Sequence, residues 1–385
     1  AIAIVTGQGA QAAVMAPTSI LAEQHEKNLR SILSRDTDET APLRPEQIRL
    51  MIGATPEAEK KEIRAGLASG EIKLVIGTHA LIEEPVNFSD LELTIVDEQH
   101  RFGVEQRAAL RSKGTNPHLL VMTATPIPRS LALTIYGDLD LSVIDELPPG
   151  RKPIQTLHRT RDEIEQVYSF LLKEIQAGRQ AYIVYPAIEE NESTALKAAE
   201  AGYRELTEHV FPGLKIGLLH GRLPAEEKDR VMEAFKRGEL QILVSTTVIE
   251  VGVDVPNATV MVIENAERFG LAQLHQLRGR VGRGAAQSYC ILVTDRLSET
   301  ARERIRTLVD SNDGFYISEM DLKLRGPGEF LGTRQSGLPV FRIGNLIRDQ
   351  EILELARREA VEFAERPPSR EEFERAMRYV RDHWQ

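Results

Sequence analysis

Two acids, Asp97 and Glu98, directly follow the apolar run Ile95-Val96, and Gln99 and His100 come next. Acids placed just after a buried strand lie at its carboxyl edge, where open α/β sheets bind ligands. An aspartate there can hold Mg2+ directly or through water, and the adjoining glutamate can orient or deprotonate a water attacking a γ-phosphate. The plainer reading is a pair of acids capping the next helix. Far along the chain, Gln276-Leu277-Arg278-Gly279-Arg280-Val281-Gly282-Arg283 sets arginines between glycines. Glycine lets the backbone approach another group closely, and a planar guanidinium can grip phosphate with two bonds and stabilise charge on a transferring phosphoryl group. Arg280 and Arg283 are therefore candidate arginine fingers, against the alternative of a solvated basic turn. An ATPase split across a cleft needs one partner from each side, and these two motifs offer one each. Between them, Thr123-Ala124-Thr125-Pro126 and the segment from Ser245 to Asp254 are small hydroxyl-bearing turns after apolar runs. Such turns can bond a neighbouring motif or a nucleic-acid phosphate, although each alone is commonly a helix N-cap.

The elements that must carry these residues follow one repeated pattern: a short apolar run, a polar turn, then a segment of helical period. Ala12-Ala13-Val14-Met15, Ile72 to Ile76, Leu93 to Val96 and His118 to Met122 read as strands, and they alternate with helices, which implies a parallel sheet covered on both faces. Prolines in Leu147-Pro148-Pro149-Gly150-Arg151-Lys152-Pro153 interrupt the pattern and mark a linker. The pattern restarts with Gln180 to Tyr185, Lys215 to Leu219, Gln241 to Ser245 and Val260 to Ile263. A helical segment from Glu299, a glycine-rich stretch from Leu324 to Glu329 and a charged helical tail from Asp349 follow. The expected organisation is a first α/β lobe over 1–147, a second over 148–297 and a C-terminal segment over 298–385.

Bulk properties narrow the classes. A chain of 385 residues is too long for one hydrophobic core. No apolar run approaches membrane-spanning length. The single cysteine, Cys290, lies in an apolar run, excludes a disulfide framework and reads as a buried strand residue. A net charge of -10 excludes uniform coating of nucleic acid, so any contact with phosphates is local. His79 and His100 lack a spaced His/Cys set and read as hydrogen-bonding groups within their motifs rather than metal ligands.

Taken in order, the motifs resemble those of superfamily 2 helicases. Ala16-Pro17-Thr18 resembles motif Ia and Gly77-Thr78-His79 motif Ib. Asp97-Glu98-Gln99-His100 is similar to motif II, and Thr123-Ala124-Thr125 to motif III. The segment from Ser245 to Asp254 matches motif V, and Gln276 to Arg283 motif VI. The longer stretches Asp97 to Val104 and Thr123 to Arg129 resemble the RecG-type DNA helicases and the transcription-repair coupling factor. Gln99 after the acidic pair, the run from Gly137 to Arg151, and the tail with Asp313-Gly314-Phe315 and Gly332-Thr333-Arg334-Gln335-Ser336-Gly337 favour RecG.

The resemblance implies two RecA-like lobes plus a translocation-motif tail, ATP and Mg2+ as cofactors, and ATP-driven movement on branched DNA such as forks and four-way junctions. It assigns catalysis to Asp97, Glu98, Gln99, His100, Arg280 and Arg283, with Mg2+ on Asp97 through water. Thr123, Thr125, Gly252, Asp254 and Gln276 would serve ATP. Pro17, Thr18, Gly77, Thr78, His79, Thr246 and Thr247 would grip DNA, and Arg334 and Gln335 would couple lobe closure to movement. It further implies a monomer in the bacterial cytoplasm, with no membrane partner.

One departure stands out. The phosphate-cradling G-x-x-x-x-G-K-[ST] is not in the sequence, and Gly7-Gln8-Gly9-Ala10 has no lysine. The chain reads as an internal segment of a longer protein whose phosphate loop and N-terminal wedge domain lie upstream, and by itself it is expected to hydrolyse little ATP. Were the first sheet to lack a central strand with that loop, an unpaired edge would be exposed and would encourage aggregation. The alternatives are a fragment of the coupling factor, which partners RNA polymerase, and a non-catalytic binding module of helicase shape.

Overall fold

The computed structural model describes all residues except 35–40, 99–101, 103, 124–139, 141, 145, 147–149, 187–191, 247–254, 326–348, 367–368 and 384–385. In the first lobe, helix α1 (Ile2–Gly7) leads into β1 (Gln11–Met15), then α2 (Ser19–Leu33), β2 (Ile48–Met51), α3 (Glu57–Ser69), β3 (Leu74–Gly77), β4 (Leu91–Val96), α4 (Val104–Arg111) and β5 (His118–Val121). Local chemistry sets the boundaries. The Thr18 hydroxyl accepts from the Leu21 N–H and caps α2. Glu57 and Glu59 favour the positive amino end of α3, and Gly70 at φ +79° ends it in the left-handed conformation.

The second lobe runs β6 (Gln155–Thr160), α5 (Ile164–Gln176), β7 (Gln180–Val184), α6 (Glu192–Glu205), β8 (Ile216–Leu219), α7 (Ala225–Lys236), β9 (Ile242–Ser245), β10 (Ala258–Ile263), α8 (Leu271–Arg278) and β11 (Tyr289–Thr294). Helices α9 (Glu299–Asp310), α10 (Gly314–Arg325), α11 (Gln350–Glu365) and α12 (Arg370–His383) follow. The predicted strands are present. Two strands were not foreseen, β2 and β6, and both are sheet edges. An edge strand needs one apolar face at most, so Ile48-Arg49-Leu50-Met51 and Gln155-Thr156-Leu157-His158-Arg159-Thr160 do not form the continuous apolar runs that mark central strands. Helix α10 was also unforeseen.

Every ladder among the described residues is parallel. The first sheet has the order β2-β3-β1-β4-β5 and the second β6-β11-β10-β7-β9-β8. Read from its other edge, the second sheet follows the same path as the first, with β6 added beside β11. Among the described residues the first sheet is continuous from β2 to β5 and ends at β5, whose counterpart β11 in the second sheet has β6 beside it. The β5 edge is poorly covered, with Leu120 43% exposed, whereas Cys290 to Thr294 of the corresponding β11 are buried.

Alternation across the sheets builds two cores per lobe. Ala12 and Val14 point into one cluster with Ile2, Ala22 and Ile76, while Ala13 and Met15 point into another with Ile63, Leu67 and Val96. In the second lobe Tyr182, Leu243 and Cys290 share one core with α8 and α9, and Ile183, Val244 and Val262 share the opposite one with α5. Burial pushes the Cys290 thiol up to about 12, so it acts as a packing group.

One buried device recurs in both lobes. The Gln11 amide donates to the carbonyls of Leu67 and Ile72, and its oxygen accepts from the Asp90 N–H. Gln180 donates in the same way to Phe235 and Leu240. Each glutamine opens the middle strand and joins the end of the helix before the next strand to the turn that follows it, adding a side-chain donor to helix-end carbonyls, Leu67 O and Phe235 O, that also accept backbone N–H groups. Gln180→Leu removes the amide donor from Leu240 O and from Phe235 O, which keeps the Gly238 N–H, and should lower stability by about 1–3 kcal/mol in urea unfolding followed by circular dichroism. A loss below about 1 kcal/mol would show that water replaces the amide.

Candidate active site

Parallel registers align the motifs of the first lobe. Met15 pairs with both Gly77 and Val96, and Val96 pairs with Val121. The residues just beyond these pairs, namely Pro17 and Thr18, Thr78 and His79, Asp97 and Glu98, and Thr123, therefore share one carboxyl edge. Asp97 continues the ladder by donating its N–H to Met15 O at 3.0 Å, and Met122 donates to Val96 O at 2.8 Å.

Asp97 and Glu98 are half-buried. The Asp97 carboxylate is held on both oxygens: Oδ1 accepts the Glu98 N–H at 2.9 Å and Oδ2 lies 2.7 Å from His25 Nε2. Glu98 adopts φ +50°, a left-handed conformation that costs a non-glycine residue roughly 1 kcal/mol or more and is typical of functional turns. His25, on α2, was not among the residues singled out by sequence. It lies outside the motifs proper, and only the tertiary contact reveals it.

The other residues of this edge divide by burial. Pro17 and Thr18 are half-buried at the head of α2, and Thr18 already caps that helix. Gly77 is buried within β3, and a Cβ there would lie 2.1 Å from Met51 O, so packing alone demands glycine. The Thr78 hydroxyl is buried without a hydrogen-bond partner, whereas His79 and Thr123 are exposed.

In the second lobe, Thr246 follows β9 at the carboxyl edge, is buried, and donates its N–H to Leu219 O at 3.3 Å. Gln276 lies on α8, half-buried, and Arg280 and Arg283 follow it, also half-buried. The arginine loop rests on the opposite, amino edge of this sheet. Gly282, at φ +80°, packs against Ile154 before β6, and Gly284 against Pro256 before β10. A Cβ on Gly284 would come within 2.6 Å of Pro256 O, so the glycines let the loop lie flat on the sheet edge. Helix α2 borders the second lobe: burial pushes the Glu23 carboxyl up, and Asp229 and Glu233 on α7 push it further. Gln99, His100, Thr125, Thr247, Gly252, Asp254, Arg334 and Gln335 lie outside the described residues.

Arg278, the first arginine of the loop sequence, belongs to the fold. It is buried, and one guanidinium nitrogen donates to Leu308 O at 2.8 Å, Ser311 O at 2.7 Å and Thr156 Oγ1 at 3.3 Å, tying α8 to the end of α9 and to β6. Next to it, burial above all, with help from Arg278, lowers His275 to about 4 and keeps it neutral near pH 7. A separate cleft at the ends of β6, β10 and β11 is lined by Arg161, Arg268 and Arg296 against Asp162, Glu267 and Asp295, a balance that gives phosphate no preference. Arg278→Leu should cost about 2–4 kcal/mol, read as a lower thermal midpoint. An unchanged midpoint would free Arg278 for another role.

Comparison with known proteins agrees with the motifs. A DEAD/DEAH box helicase model matches residues 1–134, the helicase conserved C-terminal domain matches 162–285, and the C-terminal part of domain 3 of the ATP-dependent DNA helicase RecG matches 311–383. The ATP-dependent DNA helicase RecG of Synechocystis sp. is 58% identical over 91% of this chain and 41% of its own length. That of Thermotoga maritima is 55% identical over 92% of this chain and 44% of its own length. The solved structure of RecG bound to a three-way DNA junction has a TM-score of 0.70 at 52% identity, covering 90% of this chain and 44% of that one. The chain thus spans somewhat under half the length of these relatives. With the motif order, the paired parallel sheets and the matched tail in agreement, the chain belongs to the RecG family of ATP-dependent DNA helicases.

Proposed function

We propose that this chain is the motor portion of an enzyme that hydrolyses ATP to drive remodelling of branched DNA, such as stalled forks and four-way junctions, in the bacterial cytoplasm. The observation that carries this reading is the shared carboxyl edge, where register places the acidic pair beside Thr123 and beside the turns of Pro17-Thr18 and Thr78-His79. The match over residues 311–383 favours RecG over the coupling factor. The lobe limits of 1–147 and 148–297, with a tail over 298–385, are supported by the two separate sheets and the family matches.

The residues fit a nucleotide with Mg2+. That ion takes one or two protein carboxylates and completes its shell with phosphate oxygens and water. Asp97 with Glu98 supplies that set, and among the described residues no group of three or more His, Cys, Asp or Glu could hold a metal instead. When bound, the ion neutralises charge developing on the phosphates. Asp97 would hold it through water, and Glu98 would orient and deprotonate the attacking water, with Gln99 and His100 completing the motif. Arg280 and Arg283 would stabilise the transferring phosphoryl from the second lobe, and Thr123, Thr125, Gln276, Gly252 and Asp254 would line the nucleotide. Pro17, Thr18, Thr78, His79, Thr246 and Thr247 would bear on the DNA backbone beside Gly77, and Arg334 and Gln335 would couple lobe closure to movement.

The phosphate cradle is the missing part. Gly7-Gln8-Gly9-Ala10 forms the carboxyl end of α1 and the turn into β1, where a helix presents carbonyls rather than N–H groups. Because α1 runs back along β1, its amino end points to the edge that carries Asp97. A phosphate loop placed ahead of it would open onto the acidic pair.

Steady-state hydrolysis, with and without forked DNA, should be negligible for this chain and measurable for a version extended upstream through such a loop. In the extended version Glu98→Gln should lower turnover about 100-fold or more while leaving DNA affinity intact. Comparable turnover by the chain as it stands would overturn this assignment of the phosphate site.

A further inference from the structure

Asp97 is held by a residue that belongs to none of the motifs. His25 Nε2 lies 2.7 Å from Asp97 Oδ2, with side-chain exposures of 27% and 18%. An ionised carboxylate only accepts, so Nε2 is the donor. The second oxygen takes the Glu98 N–H at 2.9 Å, and together the two bonds fix the carboxylate plane.

The position of His25 along α2 gives this bond a further meaning. Seven residues separate it from Thr18, which is about two turns and 10 Å of helix, so His25 and the N-cap lie on one face. The head of α2 is the Pro17-Thr18 turn assigned above to the DNA backbone. Just past His25 the same helix is anchored to the chain before and within β2: Arg30 donates to Pro45 O at 2.7 Å and Ile48 O at 2.9 Å and pairs with Glu26 at 2.5 Å. A displacement of the head of such a helix is transmitted along its axis rather than absorbed.

Building on the function proposed above, we infer that His25 is a positioning residue that couples DNA contact at the head of α2 to the orientation of Asp97. DNA engaged at Pro17-Thr18 sets α2, α2 sets His25, and His25 sets the orientation of the Asp97 carboxylate, which would hold the metal ion through water. Asp97 remains the catalytic group, and His25 acts through it.

The test uses the upstream-extended protein and the variants His25→Ala and His25→Gln, glutamine placing an amide N–H near the Nε2 position. The first readout is the ratio of DNA-stimulated to DNA-free ATP hydrolysis. The second, independent of turnover, is the change in affinity for forked DNA on adding Mg2+ and a non-hydrolysable ATP analogue, followed by fluorescence anisotropy. His25→Ala should cut both the ratio and the affinity change by about tenfold, within the usual range of couplings between sites, and His25→Gln should restore at least part of both. If His25→Ala lowers both hydrolysis rates by the same factor and leaves the affinity change intact, the contact serves folding only and the inference is overturned. A wild type that DNA does not stimulate would overturn the proposed function and this inference together, whereas a stimulated wild type matched by His25→Ala overturns this inference alone.

Discussion

Parallel pairing of β1 with β3 and β4 is the constraint on which the candidate site depends. Hydrogen bonds fix each register, and a slip of one residue would turn every side chain to the opposite face. With Met15 level with Gly77 and Val96, the residues that follow these strands emerge at one edge whatever their distance along the chain. Asp97, Thr18 and Thr78 are brought together by backbone pairing, and their side chains need supply no energy for it.

The same constraint explains why the lobes resemble each other. Both sheets follow one path and both insert a glutamine at the start of the middle strand. A parallel sheet needs crossovers, and a buried amide that binds one carbonyl at the end of a crossover helix and one in the turn after it pins the helix to the strand that follows. The lobes differ at one edge. β6 covers β11 in the second sheet, while β5 leaves Leu120 half in solvent in the first. An uncovered parallel edge is a ready template for another strand.

In the second lobe, glycine and arginine divide the work of one short loop. The glycines lie against Ile154 and Pro256 and hold the loop close to the sheet, which leaves Arg280 and Arg283 half-buried at its surface. Arg278, two residues earlier, turns inward and binds three oxygens. Residues of one type in one motif therefore serve stability at one position and present charge at the next, a difference of direction imposed by the end of α8.

Apolar runs determined the central strands, the proline break and the two α/β lobes, because a strand buried on both faces must be apolar throughout. Residue type and order determined the acidic pair and the arginine loop, because phosphate chemistry draws on few side chains. The edge strands β2 and β6 escaped that reading since one solvated face permits polar residues. Tertiary structure alone decided that Gly77 is demanded by Met51 O, that Arg278 is a structural clamp, and that His25 grips Asp97. Each of these rests on a contact between residues distant in the chain, and spacing along the chain says nothing about which side chain the fold sets opposite another.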